Sequence, residues 1–419
     1  MMHIILMVIS LNSIQISKRR LNGTVHISGS KNAAIPIICA SLLTSKIKLY
    51  NVPNILDIKR LLNILSYLGS KIKRTRKWVY LDNKNVVYKP LIIEECSLIR
   101  GSYYLIPIML YLFGRCEILL PGGCKIGKRP IDEHINVIKA MGYIVKEEGS
   151  FLFIRNGKSL ETFRYSMNKE SVGASINAIL LSLKSSYAVL DNLLIEPECY
   201  SLLEMLRVIG FKINAFNKRC VFKGVYQPVK YAKYRIIPDR MEAMTYIALG
   251  ILCGNVKVKG CNPSDMKYPL DLLISNGYDV KICKNMIIAK EKRGKAFDIS
   301  TRGYPFFPTD AQPIFGVILA YSIGSAKVEE NIFENRMQIY KDLINMGADI
   351  TVIDNKAFIN GIDKLNEYTS CAFDLRHGAS LLLLALKNGG VINNLEVVER
   401  GYDSLYKKLK SLGARVTFL

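Results

Sequence analysis

The chain has 419 residues, half of them hydrophobic, and its 58 Lys and Arg against 35 Asp and Glu give a formal net charge of +23. That length suits two domains, each with its own core, and the composition excludes a largely disordered chain. The ten cysteines include no CxxC pair and the four histidines are scattered, so no zinc site and no disulfide framework are predicted. The apolar stretch at 4–10 is too short to span a bilayer and lacks a charged flank, so we expect a soluble, cytoplasmic protein without a membrane partner.

The positive charge is spread along the chain, and the first real run of cations is KIKRTRK at 71–77. Its alternation with Ile72 and Thr75, followed by Trp78, predicts the solvated face of a hairpin strand. Binding of nucleic acid would require aromatic residues interleaved with the cations, and only Trp78 and Tyr80 meet that requirement here. We therefore predict no nucleic-acid partner, and we expect a small anionic substrate to account for part of the charge.

The next distinctive segment is LPGGCKIGKRPID at 120–132, which carries Cys124. Three glycines and three cations surround this thiol, so the loop is open, mobile and cationic, which favours the thiolate and attracts anions. A free cysteine in a surface hairpin is the alternative. Buried structural cysteines prefer apolar neighbours, so we predict a reactive role for Cys124 and an inert one for the other nine.

Six helix endings of similar sequence recur along the chain. In each, apolar residues at helical spacing lead to a glycine and then to an alternating strand, and such a glycine typically ends a helix. The six glycines are Gly69, Gly142, Gly210, Gly277, Gly347 and Gly413. Upstream of each lies a second helix that is apolar all round and is therefore predicted to be buried. The period predicts six βαβαββ-like modules.

Two sets of polar residues recur at equivalent positions of these modules. One set precedes the buried helices: Lys31, Arg100, Ser171, Asp239, Asp310 and Asp374. The other precedes the helices that end in glycine: Asp57, Arg129, Glu198, Asp265, Arg336 and Arg400. Asp57 and Asp265 suit N-caps. Arginine opposes the helix dipole at an N-terminus, so the three arginines indicate an anion site instead.

Eight segments stand in an order that resembles one family: GSKNAAIP, LPGGCKIGKRPIDEH, NKESVGA, PDRMEA, FPTDAQ, IFENR, DLR and ERGY. They are similar to those of the UDP-N-acetylglucosamine 1-carboxyvinyltransferases, which are enolpyruvyl transferases. The resemblance implies an α/β fold, a two-domain inside-out α/β barrel of six βαβαββ repeats. It also implies one domain at 31–237 that carries the Cys124 loop, and a second, formed by 1–30 and 238–419, that carries Asp310 and Arg400.

The resemblance implies transfer of the enolpyruvyl group of phosphoenolpyruvate to the 3′-hydroxyl of UDP-N-acetylglucosamine, with release of phosphate, as the first committed step of peptidoglycan synthesis. No cofactor and no metal are implied. Cys124 matches the cysteine that protonates C3 or forms an adduct at C2, and Asp310 matches the base. Lys31, Arg129 and Arg400 match the phosphoenolpyruvate clamp, with Arg100 nearby and Asn32 placed for the intermediate.

The remaining implied contacts belong to the sugar nucleotide. Arg129, Pro130, Ile131 and Asp132 match the uracil contact, and Lys169, Ser171, Val172 and Gly173 the diphosphate contact. Ile332, Phe333 and Arg336 match the wall beside the sugar, and Asp374 and Arg376 match a pair that assists proton handling. The chain departs from the family pattern at Ala311, Ile314, Val397 and Glu399.

Two alternatives stay open at this point. An enolpyruvyl transferase with shikimate 3-phosphate as acceptor would share the architecture, although its KS-S-R pattern is missing after Gly29 and it lacks the GGC loop. An inactive paralogue is the other. Because Lys31, Arg129 and Lys169 lie in one half of the chain and Asp310, Arg336 and Arg400 in the other, we also expect the halves to close on the UDP-sugar, with the Cys124 loop as the lid.

Overall fold

The computed structural model describes residues 13–120, 127, 130–157, 160–224, 226 and 229–419. The chain divides into two compact units. The Lys31 unit comprises Ile27–Arg240 and Gly303–Phe306, and the Asp310 unit comprises Met241–Arg302, Phe307–Leu419 and the described residues up to His26. Within these residues, no helix is both long and apolar enough to cross a membrane.

The helices of the described residues vary from one turn to four. In chain order they are α1 (Lys31–Ala40), α2 (Leu56–Tyr67), α3 (Glu94–Leu98), α4 (Leu105–Phe113), α5 (Asp132–Ala140), α6 (Val172–Ser182), α7 (Pro197–Val208), α8 (Arg240–Cys253), α9 (Lys267–Ser275), α10 (Gln312–Ala320), α11 (Gln338–Asn345), α12 (Leu375–Asn388), α13 (Glu396–Glu399) and α14 (Leu405–Ser411).

The strands are short, as expected for hairpins and for single strands next to helices. In chain order they are β1 (Ile14–Ser17), β2 (Leu21–His26), β3 (Lys46–Tyr50), β4 (Lys71–Arg74), β5 (Trp78–Asp82), β6 (Arg115–Leu119), β7 (Ile144–Glu148), β8 (Phe151–Arg155), β9 (Thr162–Ser166), β10 (Tyr187–Asp191), β11 (Ile213–Phe216), β12 (Arg219–Lys223), β13 (Tyr231–Arg235), β14 (Gly254–Lys259), β15 (Asp279–Cys283), β16 (Met286–Lys290), β17 (Ile299–Ser300), β18 (Ser325–Glu329), β19 (Asp349–Ile353), β20 (Lys356–Asn360), β21 (Tyr368–Cys371), β22 (Gly390–Asn393) and β23 (Arg415–Phe418).

The Lys31 unit contains three sheets, ordered β13-β3-β5-β4, β6-β8-β7 and β11-β12-β10-β9. In the first and third, one edge strand is parallel to its neighbour while the hairpin strands are antiparallel. In the second, the parallel edge is reduced to a bridge between Leu91 and Ile118. In the second and third sheets the chain runs from the parallel edge through a buried helix, a second strand and a second helix to a hairpin. The first sheet has the same arrangement, except that its edge strand β13 comes from the end of the unit and not from the segment before α1.

The Asp310 unit contains three further sheets of similar arrangement, ordered β15-β16-β14-β2, β17-β18-β20-β19 and β21-β22-β1-β23. In the first of them the parallel edge strand β2 comes from the start of the chain. Its last sheet takes β1 from the start of the chain, which lies between β22 and β23. The two units together contain six βαβαββ modules, so the predicted repeat is confirmed.

The buried helices are α1, α4, α6, α8, α10 and α12, whose sequences are apolar on nearly every side. Eight of the ten residues of α1 and all nine of α10 are buried. A helix that is apolar all round is stable only when other elements cover it on all sides. The sheets supply the outer cover, with inward side chains such as Ile47 and Leu49 fully buried and outward side chains in contact with solvent.

The six glycines at the repeated helix endings have the predicted conformation. Their φ angles lie between +82° for Gly277 and +116° for Gly210, the left-handed region that a residue with a Cβ rarely adopts. At Gly69, for example, the glycine N–H donates to the carbonyl of Ser66 and the next N–H, of Ser70, donates to that of Leu65. This pair of bonds closes the helix and directs the chain into the following strand.

Candidate active site

In the Lys31 unit, the side chain of Lys31 is held at the start of a buried helix. Ser30 caps α1 by accepting a hydrogen bond from Ala33 N at 3.4 Å. Lys31 Nζ lies 2.6 Å from Asp57 Oδ2, and its backbone N–H donates to Asp239 Oδ2 at 3.2 Å. Asp57 thus holds the ammonium group and Asp239 the backbone of the same residue, while part of the Lys31 side chain stays accessible.

The pairing with Lys31 overturns one expectation from the sequence. Asp57 was predicted to cap α2, but the capping position belongs to Ile55, which makes no side-chain cap hydrogen bond. Asp265 is not a cap either, since α9 begins at Lys267 and Asp265 accepts from Asn262 Nδ2 at 2.9 Å. An N-cap pattern is local, whereas Asp57 is engaged by a residue from a different helix.

Two further predicted residues lie at the starts of buried helices in this unit. Asn32 follows Lys31 and is exposed. Arg100 begins a 3-10 turn, Arg100–Tyr104, that leads directly into α4, and its guanidinium lies 5.7 Å from the ring centre of Tyr103. An aromatic ring beside the guanidinium restricts its orientation.

The predicted nucleotide contacts lie at the N-termini of α5 and α6. Pro130 and Asp132 are exposed and Ile131 is half-buried where α5 begins, and Lys169 is exposed before α6. Ser171 caps α6 by accepting from Ala174 N at 3.2 Å. Val172 and Gly173 form its first turn, where the positive end of the helix dipole favours an anion.

Gly173 packs closely against His134, a residue that was not singled out from the sequence. A Cβ at Gly173 would lie 3.2 Å from two imidazole ring atoms of His134. The ring nitrogen Nδ1 of His134 accepts from Asn177 Nδ2 at 2.9 Å, because an amide nitrogen can only donate. In the neutral tautomer that accepts at Nδ1, the proton is on Nε2, one of the two ring atoms closest to Gly173.

In the Asp310 unit, the carboxylate of Asp310 lies between two buried arginines. Arg336 Nη2 donates to Oδ1 at 2.9 Å, and Arg376 Nε and Nη2 donate to Oδ2 at 3.1 and 2.9 Å. Both guanidinium groups are almost completely buried, whereas 27% of the Asp310 side chain is exposed. The carboxylate is therefore oriented on its inner side and open to solvent on its outer side.

The neighbouring helix α12 holds Arg376 in place. Asp374 caps it, accepting from the backbone N–H groups of Arg376 at 2.7 Å and His377 at 3.0 Å. The Arg376 guanidinium lies 5.8 Å from the ring centre of Tyr402, whose hydroxyl is 2.7 Å from Thr245 Oγ1. Asp374 thus has a capping role in this arrangement, and Arg376 is the residue that contacts Asp310.

A second buried acid, Glu330, positions the predicted wall residues and was not identified from the sequence. Its Oε1 accepts from the backbone N–H groups of Ile332 at 2.9 Å and Phe333 at 3.1 Å, and its Oε2 accepts from Thr309 Oγ1 at 3.0 Å. Burial raises the pKa of Glu330, although these hydrogen bonds oppose the shift. Ile332 is exposed, and the Phe333 ring centre lies 5.1 Å from the Arg336 guanidinium.

A buried histidine also supports α12. His377 Nδ1 accepts from the backbone N–H of Phe373 at 3.0 Å, and His377 Nε2 is 2.7 Å from Asp342 Oδ2. Because Nδ1 accepts, the proton on Nε2 is the one donated to the carboxylate. Ser370 Oγ completes the cluster with a bond of 2.5 Å to Asp342 Oδ1. The sequence gives no local signal for this cluster, since its members come from β21, α11 and α12.

The other predicted residues have different outcomes. Arg400 is half-buried at the end of α13. Ala311 and Ile314, two departures from the family pattern, are fully buried and pack in the core around α10. Cys124 and Arg129 lie outside the described residues.

Among the described cysteines, seven are buried and only Cys371 is exposed, with Cys283 intermediate. Burial raises the pKa of the Cys96 and Cys220 thiols to about 12, which makes them inert near neutral pH.

Comparison with known proteins identifies relatives over nearly the whole chain. A family model described as EPSP synthase (3-phosphoshikimate 1-carboxyvinyltransferase) matches residues 16–409. The UDP-N-acetylglucosamine 1-carboxyvinyltransferase of Buchnera aphidicola subsp. Schizaphis graminum is 36% identical, over 96% of this chain and 98% of its own length. The protein of that name from Prochlorococcus marinus subsp. pastoris is 37% identical, over 96% of this chain and 90% of its own length.

Solved structures show the same fold. The enolpyruvyl transferase NikO from Streptomyces tendae superposes with a TM-score of 0.88 at 21% identity, over 97% of this chain and 99% of that one. An EPSP synthase from Acinetobacter baumannii superposes with a TM-score of 0.75 at 15% identity, over 97% and 100%. The predicted fold class, the enolpyruvyl transferase-like arrangement of six modules, is therefore confirmed. Because relatives that are 36% and 37% identical match it over nearly its full length, the chain belongs to the UDP-N-acetylglucosamine 1-carboxyvinyltransferase family.

Proposed function

We propose that the protein transfers the enolpyruvyl group of phosphoenolpyruvate to the 3′-hydroxyl of UDP-N-acetylglucosamine and releases phosphate. Two of its relatives, at 36% and 37% identity over nearly the full length, carry the name of this activity. The single observation in this molecule that supports it best is the Asp310 carboxylate, which two buried arginines orient and solvent reaches. An oriented, partly exposed carboxylate suits a general base.

The proposed chemistry proceeds by addition and elimination. Asp310 takes the proton of the sugar hydroxyl as the oxygen bonds to C2 of phosphoenolpyruvate, while Cys124 protonates C3. In the elimination, one proton of the C3 methyl group passes to a base of the site and the C2–O bond to phosphate breaks, so that the C2=C3 double bond of the enol ether forms and phosphate leaves. Arg376 and Arg336 keep Asp310 in one orientation, and Asp374 supports this role by fixing the first turn of α12.

The donor carries carboxylate and phosphate, so its site must be cationic. We assign Lys31, Arg129 and Arg400 to this clamp, with Arg100 nearby and Asn32 at the intermediate. Lys31 supplies a point charge, and the arginines supply planar forks that suit bidentate contact with carboxylate and phosphate. Asp57 compensates the Lys31 charge when no anion is bound.

The sugar nucleotide contacts are proposed at the starts of α5 and α6. Pro130, Ile131 and Asp132 would face uracil, and Lys169 with Ser171, Val172 and Gly173 would face the diphosphate. Support comes from the capped N-terminus of α6, whose dipole favours negative charge. Ile332 and Phe333, which Glu330 holds through their backbone N–H groups, would line the sugar beside Arg336.

In the cell, we propose that this activity serves peptidoglycan synthesis in the cytoplasm, and through it cell shape and division. Cys124 would also be the target of the epoxide fosfomycin. The proposed reaction requires no cofactor, and both of its substrates are small molecules.

The decisive experiment measures phosphate release from phosphoenolpyruvate with UDP-N-acetylglucosamine and, in parallel, with shikimate 3-phosphate. We expect release with the first acceptor and background with the second. Release with shikimate 3-phosphate alone would show that the protein transfers the enolpyruvyl group to that acceptor instead. Release with neither, from a protein that still binds UDP-N-acetylglucosamine, would indicate an inactive paralogue.

A further inference from the structure

The outer face of the sheet β13-β3-β5-β4 combines cations with aromatic side chains. Alternate residues of each strand point away from the core, and these outward residues are exposed or half-buried. We call them the β3 face: Lys46, Lys48, Tyr50, Lys71, Lys73, Trp78, Tyr80, Asp82, Tyr231, Lys233 and Arg235. The face has six cations, four aromatic rings and a single acid.

Strand register sets these side chains in rows. Lys48 lies opposite Tyr80 on one side and Lys233 on the other, and Tyr80 in turn lies opposite Lys73. The neighbouring row runs from Arg235 through Tyr50 to Trp78. Side chains opposite one another on paired strands are about 5 Å apart, so each ring has a cation within reach.

Contacts among the side chains show the same interleaving. The ammonium group of Lys48 lies 4.2 Å from the ring centre of Trp78 and 5.5 Å from that of Tyr50. Lys233 lies 5.8 Å from the ring centre of Tyr231. A flat group that stacked on Trp78 would replace the Lys48 ammonium there and leave it available for a nearby negative charge.

Comparison with a second sheet shows that positive charge alone does not produce this pattern. The outward residues of β15-β16-β14-β2 include Lys257, Lys259, Lys281 and Lys290 but no Phe, Tyr or Trp. None of the other five sheets, over their described strands, carries four aromatic side chains outward together with six cations. The β3 face therefore has a composition that a general excess of lysine does not explain.

We propose that the β3 face binds single-stranded nucleic acid. Bases stack on aromatic rings regardless of their identity, and interleaved lysines neutralise the phosphates between them. Four strands about 4.8 Å apart offer room for two or three stacked bases, the number that other four-stranded sheets accommodate. The surface was not recognised in the sequence because Tyr50 and Tyr231 join it only through the register of β13, β3 and β5.

An anionic membrane is a less suitable partner for the same charges. Binding at a bilayer interface buries an apolar face about 5–10 Å into the boundary between headgroups and acyl chains. Trp78, Tyr80 and Tyr50 are half-buried among their neighbours, and only Tyr231 is largely exposed. Rings that lie within the surface offer their faces to a base instead.

Trp78 is the only tryptophan of the chain, so its fluorescence reports directly on this face. We would titrate the full-length protein, saturated with UDP-N-acetylglucosamine, with a cytidylate dodecamer. We expect saturable quenching of Trp78 whose affinity falls with salt by about 0.7 logarithmic units per decade for each phosphate contacted. A polyphosphate of equal charge should bind at least tenfold more weakly.

Two variants and one matched control test the assignment. Tyr50→Leu with Tyr80→Leu retains every cation and Trp78, and should weaken dodecamer binding by about tenfold to a hundredfold. Lys48→Gln with Lys73→Gln should reduce the slope of log affinity against log salt by the contribution of about two phosphate contacts. The control, Lys257→Gln with Lys259→Gln, removes the same charge from the ring-free sheet and should change neither quantity. Phosphate release should be unchanged in all three, which verifies that they fold.

Several results would overturn the proposal. Equal affinity for polyphosphate and dodecamer, or an equal loss in the control variant, would mean that net charge alone attracts the polymer. Unchanged affinity in the Tyr50→Leu, Tyr80→Leu variant would exclude stacking. Quenching of Trp78 by phosphatidylserine vesicles but not by the dodecamer would make the partner a membrane.

Discussion

Asp310 illustrates how single residues determine what this molecule can do. Its carboxylate accepts three hydrogen bonds from two arginines that are themselves buried. Each arginine would be costly to bury without an acid, and the acid would be disordered without the arginines. The three side chains therefore form one unit in which the position of the base depends on both guanidinium groups.

For Asp310→Asn we expect UDP-N-acetylglucosamine binding within about tenfold of wild type and a fall in kcat of about a hundredfold or more. The amide can still hydrogen-bond to a hydroxyl but cannot take its proton. Calorimetric titration and phosphate release measure the two quantities. Asp271→Asn, the same change at an exposed acid on α9, is the control and should alter neither. A variant that retains more than about a hundredth of the wild-type rate would show that another group is the base.

The cysteines allow a test of reactivity. Burial raises the pKa of the Cys39, Cys116 and Cys199 thiols far above neutral pH. We expect brief treatment of the native protein with iodoacetamide at pH 8 to label Cys124 first, with Cys371 and Cys283 following, and to leave the seven buried cysteines unmodified.

Peptide mass spectrometry identifies the labelled sites, and incubation with fosfomycin beforehand should protect Cys124 alone. Cys124→Ala should lower the rate of phosphate release by about a hundredfold or more, and Cys124→Asp should retain part of it, since a carboxyl group also donates a proton. Wild-type turnover by Cys124→Ala would remove the thiol from the mechanism.

At the scale of elements, the start of α12 depends on the His377 and Asp342 pair. His377→Leu would leave the Asp342 carboxylate and the Phe373 N–H without these partners in a buried region. We expect the free energy of unfolding of the Asp310 unit to fall by about 3 kcal/mol, and amide exchange at Phe373 to accelerate. Urea denaturation and hydrogen exchange measure the two effects.

The double variant Asp342→Leu, His377→Leu removes both partners and should recover about 1 kcal/mol or more of that loss. Lys267→Leu, which breaks an exposed pair with Asp271 on α9, is the control and should change stability by less than about 0.5 kcal/mol. If His377→Leu proves as harmless as the control, the pair does not hold the helix.

These elements also show which parts of the structure could be predicted. The glycines at the helix endings were predicted because the hydrogen bonds that close a helix involve residues within five positions of one another. Lys31 with Asp57, His377 with Asp342, and Tyr231 beside Lys46 were missed because each contact joins separate elements. Which strands become neighbours depends on the whole chain, so the rows of the β3 face have no local signature.

At the scale of the whole molecule, the proposed site residues belong to both units. Lys31, Arg100 and Lys169 lie in the Lys31 unit, whereas Asp310 and Arg400 lie in the Asp310 unit. Closure of the two halves of the chain on the UDP-sugar stays a prediction from the sequence. Cations that bind one substrate would repel one another until an anion offsets their charge.

We therefore expect UDP-N-acetylglucosamine to reduce the radius of gyration measured by small-angle X-ray scattering, and to slow tryptic cleavage after Lys125 or Lys128. UDP-glucose, which lacks the acetamido group, serves as the comparison for specificity. Superimposable scattering curves and equal cleavage rates with and without the sugar nucleotide would mean that no closure occurs.

The strand order has a consequence for how the chain folds as it is made. The sheets of the Lys31 unit have all their strands once Arg235 has been added, whereas β1 must wait for β22 and β23, where Ile14 meets Ile392 and Phe418. At a synthesis rate of about 5–20 residues per second, the interval between the synthesis of β1 and that of its partners is on the order of tens of seconds. During this interval the β1 segment has no partner strand on either edge, and an unpaired strand edge can pair with other chains. Its outward residues, Gln15 and Ser17, are polar, which leaves only half of the strand attractive to a wrong partner.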